Sequence, residues 1–265
     1  MEREMSFLLT EAGIFIGIAS GLFGLGGGLV IVPVVSYSLI YFSNAPPNEA
    51  IIIGITTSLA SMVITGAMAI FAHNKNKNIN YKIIKTFIIG LILGSLLVGS
   101  MIKFIPGTLL KNLFIIYTFF IAYKIYNHEP NTNTSIFPSK LTTNFIGFCF
   151  SIISGLIGIG GATLFFPYLI KKHIPLKIAI GTSSALGFFI GLGASITIFI
   201  SPSDLVTNIE PTLGFIYLPA IFFLTIPSLI FVKLSADFLL KIPEQLINKL
   251  FSLLLAVIGI SMLLN

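Results

Sequence analysis

The sequence predicts an all-α integral membrane protein made of two related halves. Of its 265 residues, 55% are hydrophobic and only 9% are charged, whereas a soluble domain carries about 25% charged residues. Eight apolar blocks reach the roughly 20 residues that a helix needs to cross a bilayer. They cover 7–42, 50–72, 83–105, 108–127, 141–170, 178–200, 212–232 and 245–264. The first and fifth blocks are the longest, and each is interrupted by the same glycine-rich motif.

In the first block, five glycines fall between Gly21 and Gly28, and Pro33 follows. Glycine this dense breaks a helix, because it gives up the most backbone entropy on ordering. In hydrocarbon, a broken backbone is tolerated only when it is buried in protein or lines a polar cavity. The motif recurs in the fifth block: Ser20-Gly21-Leu22-Phe23-Gly24-Leu25-Gly26-Gly27 is matched by Ser154-Gly155-Leu156-Ile157-Gly158-Ile159-Gly160-Gly161, and Pro33 by Pro167. At an offset of 134, seven of 14 positions are identical. The second and sixth blocks continue the match at an offset of 125, pairing Gly54-Ile55-Thr56-Thr57-Ser58 with Ala179-Ile180-Gly181-Thr182-Ser183 and Gly66 with Gly191. Residues 1–134 thus form membrane repeat one and 135–265 membrane repeat two of a single transmembrane domain. The Asn- and Thr-rich linker from Asn127 to Lys140 divides them.

The basic residues give an orientation. If blocks one and five each cross once, they divide 7 against 8 between the two faces. If both blocks enter and leave on one face, the division is 12 against 3. Cytoplasmic loops are enriched in Lys and Arg, so the second arrangement is expected. Each half then has an odd number of crossings, the repeats are inverted, and both termini lie outside a bacterial inner membrane. Blocks one and five are too short for two full spans. They are expected as re-entrant hairpins of two half-membrane helices whose tips meet near the midplane.

Those tips supply the candidate site. The amides of Gly26, Gly27 and Gly28, and of Gly160, Gly161 and Ala162, open the helices that run to the two prolines. A helix start offers free N–H donors and about half a positive charge, and binds anions without a cationic side chain. Discontinuous helices of inverted repeats serve transporters in this way. Hydroxyls available to complete the shell are Ser20 and Ser154 ahead of the glycines, and Thr56, Thr57, Ser58, Thr182, Ser183 and Ser184 on the following spans. Gly66, Gly90, Gly94, Gly99 and Gly191 are expected to serve helix packing.

Several classes are set aside. Gly24 to Gly28 lacks the G-x-G-x-x-G spacing, because position 29 is Leu, and no strand–helix unit surrounds it. No Asp, Glu, Lys, Arg or His occupies the middle of a span, so no proton relay of the usual kind is visible. His73, His128 and His173 fall at span ends or in loops, where solvated side chains are expected. No nucleophile–base pair or metal-ligand cluster appears in the spans, which predicts no catalytic residue, no metal, no cofactor and no enzyme. Cys149 stands alone in an apolar run, so there is no disulfide framework. The net charge of +6 resides in lysines at span ends and implies no nucleic-acid partner. The start Met1-Glu2-Arg3-Glu4 is acidic where a signal peptide is basic. The expected partners are the lipid bilayer and a small anionic substrate, and a homo-oligomer is compatible with the composition. From the residues alone, a transporter, an anion channel and a non-transporting membrane scaffold or accessory subunit all stay open.

At these motifs the sequence resembles the sulfite exporter TauE/SafE family of bacterial anion permeases. The resemblance covers nearly the whole chain. It rests on the doubled glycine motif with Pro33 and Pro167, on Thr57-Ser58-Leu59 and Gly181-Thr182-Ser183-Ser184, and on Gly214-Phe215-Ile216-Tyr217-Leu218-Pro219-Ala220. It implies transport of sulfur-containing anions such as sulfite, thiosulfate or organosulfonates across the inner membrane, with one repeat rocking against the other. Two positions depart from the family pattern: Ala162 replaces the last glycine of the second copy, and Ile55-Thr56 precedes Thr57-Ser58 where small residues are usual.

Overall fold

The computed structural model describes residues 2–24, 27–126, 137–200 and 211–264. The first half contains α1 (Glu2–Phe23), α2 (Gly28–Ser43), α3 (Pro47–Lys75), α4 (Tyr81–Met101) and α5 (Gly107–Tyr126). The second contains α6 (Lys140–Ile157), α7 (Ala162–Lys171), α8 (Leu176–Ile200), α9 (Leu218–Phe238) and α10 (Glu244–Leu264). Ahead of α9, β1 (Thr212–Leu213) and β2 (Ile216–Tyr217) pair antiparallel around Gly214. All the helices except α2 and α7, eight in number, are long and apolar enough to cross a membrane. The protein is an all-α integral membrane protein. Exposed faces carry apolar side chains such as Phe120, Ile230, Leu253 and Val257, as a surface solvated by lipid requires.

Local signals set the helix starts. Pro47 occupies the first turn of α3, where a missing N–H costs nothing. The Asn80 side chain accepts from the N–H groups of Lys82 and Ile83 to cap α4, and Ser139 accepts from Thr142 to cap α6. The seventh block is shifted from its expected place: α9 starts only at Leu218, because the preceding residues form the small β pair.

Small residues fix the packing. Along α1, a side chain on Gly13 would strike Leu224 and Pro227, one on Gly17 would strike Ser228 and Phe231, and one on Gly21 would strike Val232 and Ser235. The numbering rises together, so α1 runs parallel to α9. In the same way Gly147 and Gly155 of α6 lie against Phe87 and Val98 of α4, while Gly90 and Gly94 of α4 lie against Asn144 and Phe148 of α6. Between α3 and α8 the numbering runs oppositely: Gly66 meets Phe188, and Gly191 meets Leu59 and Met62. These two are the most buried spans. Gly99 meets Ala194 and Thr197, so all five glycines expected to serve packing lie against a neighbouring helix. Exchanging α1–α5 for α6–α10 carries the main neighbours onto one another: α1 on α9 becomes α6 on α4, α2 on α3 becomes α7 on α8, and α3 on α9 becomes α8 on α4, whereas the packing of α3 on α5 has no such counterpart.

Contacts also sort the helix ends. At one end of the bundle, Asn76 after α3 donates to Asp237 of α9 at 2.9 Å. There Lys124 of α5, Pro138 before α6, and Lys171 and Lys172 at the end of α7 line one cavity of about 510 Å³. At the other end, the Thr108 N–H donates to Asn48 at 2.9 Å, and the Tyr37 hydroxyl donates to the Ser261 carbonyl at 3.2 Å. There Leu8 of α1 shares a cavity of about 490 Å³ with Tyr37, Tyr41 and Phe42 of α2. The pairs α1–α2 and α6–α7 therefore each return to the end from which they started.

The hairpin arms are unequal, however. Only the second arms are short, with 16 residues in α2 and 10 in α7; α1 has 22 and α6 has 18. The expected half-membrane length fails for the first arms because Gly13, Gly17 and Gly21 do not break α1. Packed on α9, they are held in the helix, and the break waits for Gly24.

Candidate functional site

The site is built from two chain reversals. Gly24, at φ 72°, ends α1, and Gly158, at φ 71°, ends α6. Both need the left-handed backbone that only glycine adopts without a steric cost. Each reversal is closed by the carbonyl of the serine at the matching position. Gly24 N–H donates to Ser20 O at 2.9 Å, and Ile159 N–H donates to Ser154 O at 3.1 Å. Gly27, at φ 83°, then caps α2, and Gly161 caps α7; Gly160 lies at φ 77°. Gly26 lies outside the described residues.

The two reversals are in contact. A side chain on Gly28 would strike the Gly158 carbonyl and lie 2.9 Å from the Ser58 hydroxyl. Ser58 Oγ donates to that same Gly158 carbonyl at 2.7 Å. Each reversal also rests on the central helix of the other half: Gly24 on Ile180 and Ser184 of α8, and Gly158 on Ile55 of α3. Gly161 faces Gly187, in the middle of α8; a Cβ added to Gly187 would lie 3.2 Å from the Gly161 nitrogen. The amides of Gly27, Gly28, Gly160 and Gly161 have no hydrogen-bond partner among the described residues. The segments 20–33 and 154–167 carry no charged residue.

The expected hydroxyls separate into three kinds. Thr57 Oγ1 accepts from the Tyr217 N–H at 2.9 Å, and Thr182 Oγ1 accepts from the Asn80 N–H at 2.9 Å. Tyr217 and Asn80 are the cap residues of α9 and α4, so the two threonines hold matching helix starts. Thr56 Oγ1 also reaches this region, donating to the Phe215 carbonyl. Ser183 and Ser184 fold back onto the Ile180 carbonyl, both at 2.9 Å. Such back-bonding satisfies a hydroxyl inside its own helix. Ser20 and Ser154 differ from all of these: both are fully buried, and neither hydroxyl has a partner among the described residues. A buried hydroxyl without a hydrogen bond costs about 1–3 kcal/mol. The pair is thus poised to bond something that the protein itself does not supply.

Sequence reasoning missed three features. Gly187 is one of four glycines in α8, and only the fold places it opposite Gly161. Tyr117 OH donates to Thr163 Oγ1 at 2.8 Å and steadies the first turn of α7; its sequence signal is a polar tip in an otherwise apolar span. His73, expected in water, is fully buried, with neither ring nitrogen hydrogen-bonded among the described residues. The reason is length: α3 runs 29 residues and carries His73 under the start of α8. Among the described residues no group of His, Cys, Asp and Glu could hold a metal ion.

Known proteins match this chain over nearly its full length. A protein of Haemophilus influenzae named "Probable membrane transporter protein" is 31% identical over 261 residues, covering 97% of this chain and 98% of its own. A protein of the same name in Methanocaldococcus jannaschii is 31% identical over 264 residues, covering 97% and 95%. A Bacillus subtilis relative, also named as a membrane transporter, is 27% identical over 221 residues, 74% of this chain and 80% of its own. No solved structure matches the chain. The family described as "Sulfite exporter TauE/SafE" matches residues 9–262, a span that holds both reversals, both threonine clamps and every membrane-spanning helix. By that match the chain is a membrane transporter, not an enzyme, and it belongs to the sulfite exporter TauE/SafE family.

Proposed function

We propose that this transporter moves small sulfur-containing anions, of the sulfite, thiosulfate or organosulfonate class, by alternating access around the two glycine reversals. The observation that carries the proposal is the matched pair Ser20 and Ser154, both buried and unpartnered. They stand six to eight residues before amides that also lack partners. Hydroxyl and amide donors on segments that carry no charged side chain suit an oxyanion, and they suit a metal cation poorly. The substrate class itself comes from the family.

In this reading residues 1–134 and 135–265 are inverted repeats, a view supported by the antiparallel crossing of α3 and α8. The lysine-rich end of the bundle faces the cytoplasm, and both termini lie outside the inner membrane. The test is a thermal-shift screen of the purified full chain against sulfite, thiosulfate, sulfate, sulfoacetate, taurine and small carboxylates. A ligand at 100 times its dissociation constant stabilises the folded state by about 2.7 kcal/mol. The site is ruled out if the Ser20→Ala, Ser154→Ala double variant shifts as the wild type does.

A further inference from the structure

His73 has no role in the anion site, and its surroundings are unusual for a packing residue. It lies in the last turn of α3. Its side chain packs against Gly181 of α8, where an added Cβ would lie 3.1 Å from the His73 Cβ. Its carbonyl accepts from the Asn78 N–H at 2.9 Å. The imidazole is fully buried, and neither Nδ1 nor Nε2 has a hydrogen bond among the described residues. The buried Asn78 Nδ2 beside it is likewise unpartnered. A neutral imidazole carries one donor and one acceptor, and buried polar groups are ordinarily paired.

Packing alone does not call for a histidine here. At the offset of 125 that relates α3 to α8, the matching residue is Ile198, which is also buried. An apolar side chain therefore fills the equivalent place in the other half. The carboxylate at this end of the bundle is Asp237 of α9, which accepts from the amide of Asn76, three residues beyond His73. The other titratable side chains at this end of the elements packed here are Lys75 of α3, Lys77 of the following loop, Tyr81, Lys82 and Lys85 of α4, Lys177 of α8 and Lys233 of α9.

We propose that His73 is a proton-binding site of the transporter, with Asp237 as its counter-charge. The imidazole takes a proton from water at the lysine-rich end when the α3–α8 contact at Gly181 opens, and returns it when the contact closes. Gly181 adjoins Thr182, which clamps the start of α4, so the proton acts on a joint that holds the two halves together. The coupling of this proton to anion movement rests on the transport reading above; the proton site itself does not.

Two measurements separate these claims. Nuclear magnetic resonance of the full chain in lipid nanodiscs, with isotope-labelled histidine, follows each ring directly. The His73 signal, identified by its loss in His73→Gln, is expected to titrate within the pH range over which the chain stays folded, and its midpoint is expected to move in Asp237→Asn. A ring that stays neutral throughout, or one indifferent to Asp237→Asn, overturns the proton site. In proteoliposomes, thiosulfate uptake is expected to depend on pH in the wild type and to lose that dependence in His73→Gln. An unchanged pH profile in His73→Gln overturns the coupling. A titrating His73 with no flux of any sulfur anion leaves the proton site standing and refutes the transport reading.

Discussion

The two chain reversals share their sequence motif and differ in what holds them. Both end on a left-handed glycine, both use a serine carbonyl to close, and both leave that serine's hydroxyl bare. Both are flanked by a threonine clamp, Thr57 to Tyr217 and Thr182 to Asn80. The serines after the threonines behave differently. Ser58 crosses to the Gly158 carbonyl of the other half, whereas Ser183 bonds only to its own helix. Features present twice belong to the common task of the halves. Features present once, such as the Ser58 bridge and His73, bias one arrangement over its mirror. Under the alternating access proposed above, a fully symmetric transporter would hold its two access states at equal energy, and the Ser58 bridge would remove that equality.

The strongest way to break the comparison is to fill the reversals. Gly161→Val and Gly27→Val are each expected to abolish uptake while protein persists in the membrane. They are expected to do so for different reasons. Gly161 has φ −65°, so its backbone accepts a side chain, but an added Cβ meets the Gly187 nitrogen at 3.0 Å. Gly27 has φ 83°, which adds about 1–2 kcal/mol of backbone strain. Thermal unfolding is therefore expected to fall further for Gly27→Ala than for Gly161→Ala. Next in size, Ser20→Ala and Ser154→Ala each remove one donor to a charged ligand, worth about 1.5–3 kcal/mol, or roughly 10- to 100-fold in affinity. Equal losses in the two variants support a shared anion; a loss in one alone restricts the site to one reversal.

The clamps come third. Thr57→Val and Thr182→Val each remove the acceptor that holds a helix start and are expected to cost about 0.5–1.5 kcal/mol of stability, with uptake reduced less than in the serine variants. Melting temperatures in detergent, compared with transport rates, separate the two effects. The smallest and sharpest contrast is Ser58→Ala against Ser183→Ala. The first removes a bond between the halves, worth about 1 kcal/mol, and is expected to change how often each face opens. The second removes a bond within one helix and is expected to be close to neutral. Accessibility of single cysteines placed at either end of the bundle reads the difference.

Much of this was legible in the residues. The doubled motif from Ser20 to Pro33 and from Ser154 to Pro167 located both reversals, and the lysine distribution matches hairpins that return to their starting end. What escaped notice needs three dimensions. A threonine in a Thr-Ser pair looks the same whether it faces a ligand or a backbone amide, and only the approach of Tyr217 and Asn80 decides it. Gly21 reads as a helix breaker until α9 is found lying along it. His73 looks solvated because it adjoins Lys75 and Lys77, yet the start of α8 covers it.

The parallel docking of α1 on α9 and of α6 on α4 sets a constraint on motion. Each half clasps the other by its own first helix, through glycine contacts too close to slide apart cheaply. A cleft opening between residues 134 and 135, as though two separate lobes were hinged there, would tear both clasps at once. If the transporter works by alternating access, the moving bodies would then be chimeric, each a crossed pair drawn from both halves, turning about the antiparallel core of α3 and α8. A disulfide locking α1 to α9 would then leave cycling intact, while one locking α1 to α8 would stop it.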